Sequence, residues 1–430
     1  MISSNRAVWA VLVIVIAVCV ALVTGCGDTF RPTINFQPQP GGDPAAVGQA
    51  VVLATNPAGT GSNTHIDVSG DSSVGVVNVG PNPVFLGKGI GRAFVLNSDN
   101  TATLYVALLP ESTTINTVTL PATTSGAIGG AASSNGNIYI ANSGSNDVSV
   151  IASGQNVVTT VVPVGSQPVM VGANGSGNKA YVINHGDHSV TVIGTQDNIP
   201  EAQPIQVGAQ PIWAVMSSDG VDVFVVNQGD GTVSVIDTTL DIVIATIPVG
   251  PSPNFAFYDN VRKRVYVTNT GNHTVSVIKA DSINLGVTPQ ILPVKLADVT
   301  LSGTPISVGA IADGTRAYAA LGNCPAGTNH TNLQTNLASC TGNQVSVIDA
   351  VGLFEKKVIP VGSGTVSIAP SVDGTRVYAA NAHDGNISII KTSTDSELMR
   401  VTAPQQSFGC ANPSCGATGV QTPFMVLTFP

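Results

Sequence analysis

Apolar and polar residues alternate along most of this chain in short runs, and the runs come in pairs. VYVTNTGNHTVSVI (265–278) shows the unit: an alternating run, an Asn, a Gly/polar turn and a second alternating run. Period-two alternation puts successive side chains on opposite faces of a strand, so each unit predicts a β-hairpin. The Asn ending the first run recurs as Asn56, Asn97, Asn142, Asn184, Asn227 and Asn269, is replaced by Leu321, and returns as Asn381. The intervals are 41, 45, 42, 43 and 42 residues, then 52 and 60 around an inserted polar segment that parts AYAALGNC (317–324) from NQVSVIDA (343–350).

A period near 42 residues holding four short runs is the pattern of a propeller blade, a four-stranded antiparallel sheet that buries its faces against neighbouring blades. Residues 168–206 show all four: PVMVGA as strand A, KAYVIN as B, HSVTVIG as C and PIQVG as D. Asn-Gly or Asp-Gly pairs at Asn135-Gly136, Asn174-Gly175, Asp219-Gly220, Asp313-Gly314 and Asp373-Gly374 tolerate positive φ and mark the A-to-B reversals. The fold class is therefore all-β, with eight blades by repeat count. Seven is the alternative, if residues 50–79 pack outside the ring. Ring closure favours eight: PFMVLTFP (423–430) reads as a strand A with no strand B after it, and residues 52–79 supply B, C and D with no A before them. Joined, they complete one blade and leave no sheet edge open. Residues 51–430 are read as a single propeller domain with enlarged loops at 322–342 and 404–422. Charged residues are only 10 %, with 46 Gly and 27 Pro, and no segment after the N-terminal apolar run keeps a capped 3.6-residue period, so almost no helix is expected.

The units resemble the YVTN-type β-propeller repeat family of bacterial and archaeal surface and secreted proteins. The resemblance rests on IYIANSGSNDVSVI (138–151), AYVINHGDHSVTVI (180–193), VFVVNQGDGTVSVI (223–236), VYVTNTGNHTVSVI (265–278) and VYAANAHDGNISII (377–390), and spans roughly residues 50 to 430. It implies the fold far more than an activity, because propellers host unrelated functions. The chain departs from the family in its long first turn, in Leu321, and in an eighth unit where seven blades are usual.

The N-terminus adds a compartment. Arg6 precedes the apolar run AVWAVLVIVIAVCVALV (7–23), and Val23-Thr24-Gly25-Cys26 resembles a bacterial lipobox, so residues 1–25 read as a lipoprotein signal peptide and Cys26 as the lipidated residue. An uncleaved membrane anchor is the alternative. Residues 26–50, with QPQPGGDP, read as a flexible tether. Either way the ring is expected to be exported and held at a membrane of the cell envelope. Of the six cysteines, Cys324, Cys340, Cys410 and Cys415 lie in the ring, and an oxidising compartment makes them disulfide candidates, by default in the pairs 324–340 and 410–415.

Candidate chemistry is sparse. The strands assigned to the channel wall read PVFLGK, AIGGAAS, PVMVGA, PIWAVM, PNFAFY, PISVGAI, TVSIAP and PFMVLT, without Asp, Glu, His or Cys. Lys88, Trp213, Asn254 and Tyr258 are the conspicuous side chains there and the candidate channel ligand contacts. His185, His188, His273 and His383 fall in B-to-C turns of alternate blades and are expected to be solvated, leaving no metal site and no catalytic residue assigned. After Cys26 the chain carries 15 Lys/Arg against 25 Asp/Glu, a net charge of −10 that disfavours nucleic acid. The expected function is a monomeric, cofactor-free binding or scaffolding module for a protein, glycan or small molecule at the envelope. The enlarged loops on one face of the ring are the expected place of recognition. An enzyme of propeller lactonase or dehydrogenase type, and a structural surface-layer or adhesion component, are the alternatives.

Overall fold

The structure is a computed structural model, and it describes residues 49–55, 60–89, 92–105, 114–173, 178–280, 292–402 and 422–429. Among these residues it is an all-β ring of eight four-stranded antiparallel sheets. The only helical segments described are one turn at Leu333–Asn336 and the 3₁₀ turn Leu337–Ser339. Residues Gln39–Pro430 form one compact unit that carries its own hydrophobic core. Asn56, Cys26, Cys410, Cys415, residues 1–48 of the signal and tether segments and the loop 404–421 lie outside the described residues; Gln49 and Ala50, read as the end of the tether, belong to the first strand of the ring.

The predicted closure is present. Blade 1 is built as Thr422–Phe429 (strand A), Gln49–Thr55 (B), Thr60–Asp67 (C) and Ser72–Pro81 (D). The last strand pairs antiparallel with the first, Val51 opposite Leu427 and Val52 opposite Val426. Blades 2 to 8 follow in chain order, with innermost strands Pro83–Gly89, Ala127–Ala132, Pro168–Ala173, Pro211–Met216, Pro253–Asp259, Pro305–Ala310 and Thr365–Pro370. The repeat text set these boundaries closely. Strand D of blade 4, however, shrinks to Ile205–Gln206, and strand A of blade 6 runs one residue past the expected PNFAFY to Asp259. The insertion after Leu321 accounts for the 60-residue interval, whereas the 52-residue interval contains residues 281–291, outside those described.

Blades bury both faces against their neighbours, so the middle strands lose the in-out alternation of burial even though their sequence alternates. In Asp222–Asn227 every residue is buried, whereas the outer strand Val294–Thr300 alternates between exposed and covered positions. In blades 2 to 6 the recurring Asn closes the B-to-C hairpin from inside. Asn269 Nδ2 donates to the hydroxyls of Thr274 and Ser276, both at 2.9 Å. Asn184 reaches Ser189 and Thr191 at 3.1 and 2.9 Å, and Asn227 reaches Thr232 and Ser234 at 3.0 and 2.9 Å. Its amide also fills the space over a Gly of the preceding connection. A Cβ built on Gly250 would fall 2.7 Å from the Asn269 amide, which is why Gly stands there.

A second set of bonds runs around the ring. The first residue of strand B reaches the C-to-D turn of the next blade: Arg92 to Asn156 Oδ1 at 2.8 Å, Lys179 to Asp241 at 2.5 Å, Arg316 to Asp395 at 2.5 Å. At the seam between blades 8 and 1, Arg376 grips Asp71 with both Nε and an Nη, each at 2.8 Å, and both side chains are essentially fully buried. Strand B begins with Ile138 in blade 3 and with Asp222 in blade 5. Burial, and then the nearby Asp219 and Asp237 charges, push its carboxyl up to about 7.

Removing one partner of a fully buried pair strands the other charge. Asp71→Ala is therefore expected to cost about 3 to 5 kcal/mol of folding stability, measured by chemical denaturation. Asp241→Ala, whose pair is partly exposed, is expected to cost about 1 kcal/mol or less. Equal losses from the two variants would contradict a special role for the seam.

Candidate functional site

Each innermost strand starts on the face that carries the D-to-A and B-to-C connections and ends on the face that carries the A-to-B and C-to-D turns. The two mouths of the channel are therefore built from different residues. The insertion 322–342, a B-to-C connection of blade 7, belongs to the first face, and it does not stand out as a recognition loop. It folds inward across the channel and closes it.

The contacts of this plug span the ring. His330 Nε2 lies 3.0 Å from the carbonyl of Val169 in blade 4, and its ring packs edge-on against Trp213 of blade 5 with centroids 5.0 Å apart. Asn329 Nδ2 donates to Gln228 Oε1 of blade 5 at 2.9 Å, and the Gly327 amide donates to the Thr270 hydroxyl of blade 6 at 3.1 Å. Gln334 donates to the Pro83 carbonyl of blade 2, and His383 of blade 8 donates to the Leu337 carbonyl at 2.9 Å. A disulfide between Cys324 and Cys340 staples the base of the plug, so this expected pair is present. Thr328, Asn329, Leu337 and Cys340 are buried.

Beneath the plug lies a cavity of about 50 Å³ bounded by Asn329, His330 and Leu333 on one side and by Trp213, Phe255 and Met425 on the other. Beyond that floor the channel widens into a cup of about 630 Å³ that opens on the opposite face. Phe85, Met170, Trp213, Phe255, Phe257 and Met425 make its inner wall, with the Trp213 and Phe255 rings 4.8 Å apart. Tyr258, Asn260, Val261 and Val372 surround its mouth, and Val261 and Val372 are solvent-exposed.

The expected channel contacts separate into three kinds. Trp213 is the buried floor, its Nε1 donating to the Ala256 carbonyl at 3.1 Å. Lys88 and Tyr258 stand near the mouth. Lys88 Nζ is 3.5 Å from the Thr428 carbonyl, and burial lowers its pKa, while burial raises that of Tyr258. Asn254 is a strut rather than a cup residue: Nδ2 donates to the Ile306 carbonyl at 2.9 Å, and Oδ1 accepts from Thr268 at 2.8 Å. Sequence reasoning missed His330, which lines the small cavity, Met170, which lines the cup, and Met425, Ser307 and Ser367, which line both. It also placed no acid on the channel wall, whereas Asp259 lines the cup and accepts the Val261 and Arg262 amides at 2.9 and 3.1 Å.

The turn histidines are not simply solvated. His185 Nδ1 donates to the Pro211 carbonyl at 3.2 Å, His188 Nδ1 accepts the Gln210 amide at 2.8 Å, and His273 Nδ1 lies 2.8 Å from the Thr304 hydroxyl. At the turn position of His188, blade 3 has Asn146, whose Oδ1 accepts the Gln167 amide at the same 2.8 Å. Both take positive φ, 55° and 59°. Asn and His thus do one structural task, linking adjacent blades. Among the described residues no three His, Cys, Asp or Glu side chains converge as a metal site would need.

No protein-family profile and no curated protein matches the chain. Solved structures do. A dihydro-heme d1 dehydrogenase, NirN, in complex with DHE aligns with a TM-score of 0.65 at 13 % identity over 92 % of this chain and 77 % of its own. A putative 6-phosphogluconolactonase from Bacteroides fragilis gives 0.55 at 11 % over 89 % and 98 %, and the hydrazine synthase of Kuenenia stuttgartiensis 0.53 at 18 % over 73 % and 97 %. At these identities the likeness establishes the β-propeller fold alone.

Burial holds His330 at about 4, below its ordinary 6.5. Between those values a released imidazole takes up a proton that the docked one refuses, so the docked plug is favoured above pH 6.5 and loses that preference as pH falls toward 4. The chain has two tryptophans, Trp9 and Trp213, so a ring of residues 39–430 reports on the floor alone. Its emission is expected to fall with a midpoint near pH 4 as the imidazolium quenches Trp213, and His330→Gln is expected to abolish that step. A midpoint at the ordinary histidine value would show that the ring is not docked.

Proposed function

We propose that this protein is an exported, membrane-anchored propeller of the YVTN type that binds a small molecule in its channel, serving as a receptor or carrier module at the cell envelope. The observation that carries this reading is the one-ended cup: a volume of about 630 Å³ lined mainly by apolar and aromatic side chains, with a few polar groups at its floor and mouth. Small-molecule sites have this size and composition, and a closed floor limits entry to one side. The anchor part of the reading rests on the apolar run 7–23 and on Cys26, and the stapled plug suits an oxidising compartment. The dehydrogenase and lactonase named among the structural neighbours lend the fold; their activities are not carried over to this chain.

Two outcomes test it. Cys26→Ser is expected to abolish metabolic lipid labelling of the chain and, where cleavage at residue 25 is blocked, to leave an unprocessed precursor; normal labelling would sink the anchor assignment. For the cup, the ring is incubated with an envelope extract and the retained small molecules are read by mass spectrometry. Trp213→Ala and Tyr258→Ala are each expected to lower retention about tenfold, the equivalent of about 1.4 kcal/mol, with the fold intact by circular dichroism. Retention unchanged in both variants would make the channel structural.

A further inference from the structure

The cup specifies more than a size, because its polar groups are unevenly placed. Its depth is apolar and adaptable: Met170 and Met425 flank Trp213 and Phe255, and unbranched thioethers repack around different apolar shapes at little cost. Among the described residues the hydroxyls at that depth are those of Ser307 and Ser367, which are turned to the wall, accepting the Ile368 and Val426 amides at 3.4 and 3.2 Å. Among the described residues two charged side chains line the cup, and both stand at the mouth end of their strands. Asp259 is 2 % exposed, and its Oδ1 caps the turn that follows it, so it is covered from solvent. Lys88 is exposed at the rim. Of the two charged groups the exposed one is thus a cation, on a chain whose overall charge is negative.

We propose that the cup takes a monoanionic amphiphile, with its apolar body against Trp213 and its anionic head at the Lys88 ammonium. This deepens the binding-module reading and rests on it. The wall around Lys88 lowers the ammonium's pKa by desolvation, and an anion seated at the rim would offset that cost within a less polar surrounding than bulk water. A neutral amphiphile would bury the same apolar area without this contribution, and a dianion would leave one charge unpaired.

The test uses two probes that share one apolar skeleton. 1-Anilinonaphthalene-8-sulfonate carries a single anion, and N-phenyl-1-naphthylamine is the same skeleton without it. Each is titrated into the ring of residues 39–430, whose single Trp213 transfers excitation to a naphthalene bound at the floor. The sulfonate is expected to bind one site with energy transfer from Trp213 and at least tenfold more tightly than the neutral probe. Lys88→Gln is expected to remove that advantage while leaving the neutral probe unaffected, and Lys357→Gln, on the outer strand of blade 7, is expected to change neither. Equal binding of the two probes, or an advantage that survives Lys88→Gln, would overturn the anion assignment while leaving the cup as a binding site. Absence of transfer from Trp213 with both probes would overturn the cup reading as well.

Discussion

A single blade cannot stand alone, because a four-stranded sheet with two apolar faces finds a dry partner for each only in another blade. Everything else in the structure depends on closing the ring so that no blade lacks a neighbour. The closure is made by backbone pairing of Thr422–Phe429 with Gln49–Thr55 across almost the whole length of the chain. It is reinforced at the same seam by the fully buried Arg376–Asp71 pair. Residues brought together over 305 positions carry a large loop-closure cost. The seam therefore combines a full strand ladder with a bidentate ion pair, where other junctions manage with partly exposed contacts such as Lys179–Asp241.

Closure creates a channel, and the plug gives the channel a direction. Without residues 322–342 the innermost strands would bound a pore open at both faces. With them, His330 and its neighbours seal the face where the strands begin, and the remaining space becomes a cup entered from the face where they end. The same step fixes where polarity is available. Backbone carbonyls at the strand starts are occupied by plug side chains, as Val169 is by His330 and Pro83 by Gln334. Ionisable side chains near the strand ends, Lys88 and Tyr258, face the entrance. A binding site built in this way reads the head of its ligand at the rim and the body at the floor.

The blade plan was legible because it is local and repeated. Asn269, Thr274 and Ser276 lie within one hairpin, and their hydrogen bonds follow from spacings of five and seven residues that any reader can count. Strand closure was legible for a related reason: an unpaired A run at one end and a missing A at the other. The plug was not. Its sequence looks like any polar insertion, and its direction is set by contacts such as His330 with Trp213 and Gln334 with Pro83, which lie far apart in the chain and have no periodic signature. The histidines were misjudged in the same way. Their role depends on the start of the next blade, a relation visible only when His188 and Asn146 are seen making equivalent bonds.

The cup and its ligand follow from one placement, the 322–342 segment as an inserted plug and not an exposed loop. Amide hydrogen exchange over Gly327–Cys340 in the ring of residues 39–430 separates the two arrangements. The segment's amides include Gly327 bonded to Thr270, Asn336 to the Asn332 carbonyl and Cys340 to the Leu337 carbonyl. An inserted plug exchanges far more slowly than the exposed turn around Val351, at rates approaching those of the neighbouring innermost strands. Exchange as fast as at that turn would mean the segment lies in solvent, the channel is open at both faces, and the cup has no floor.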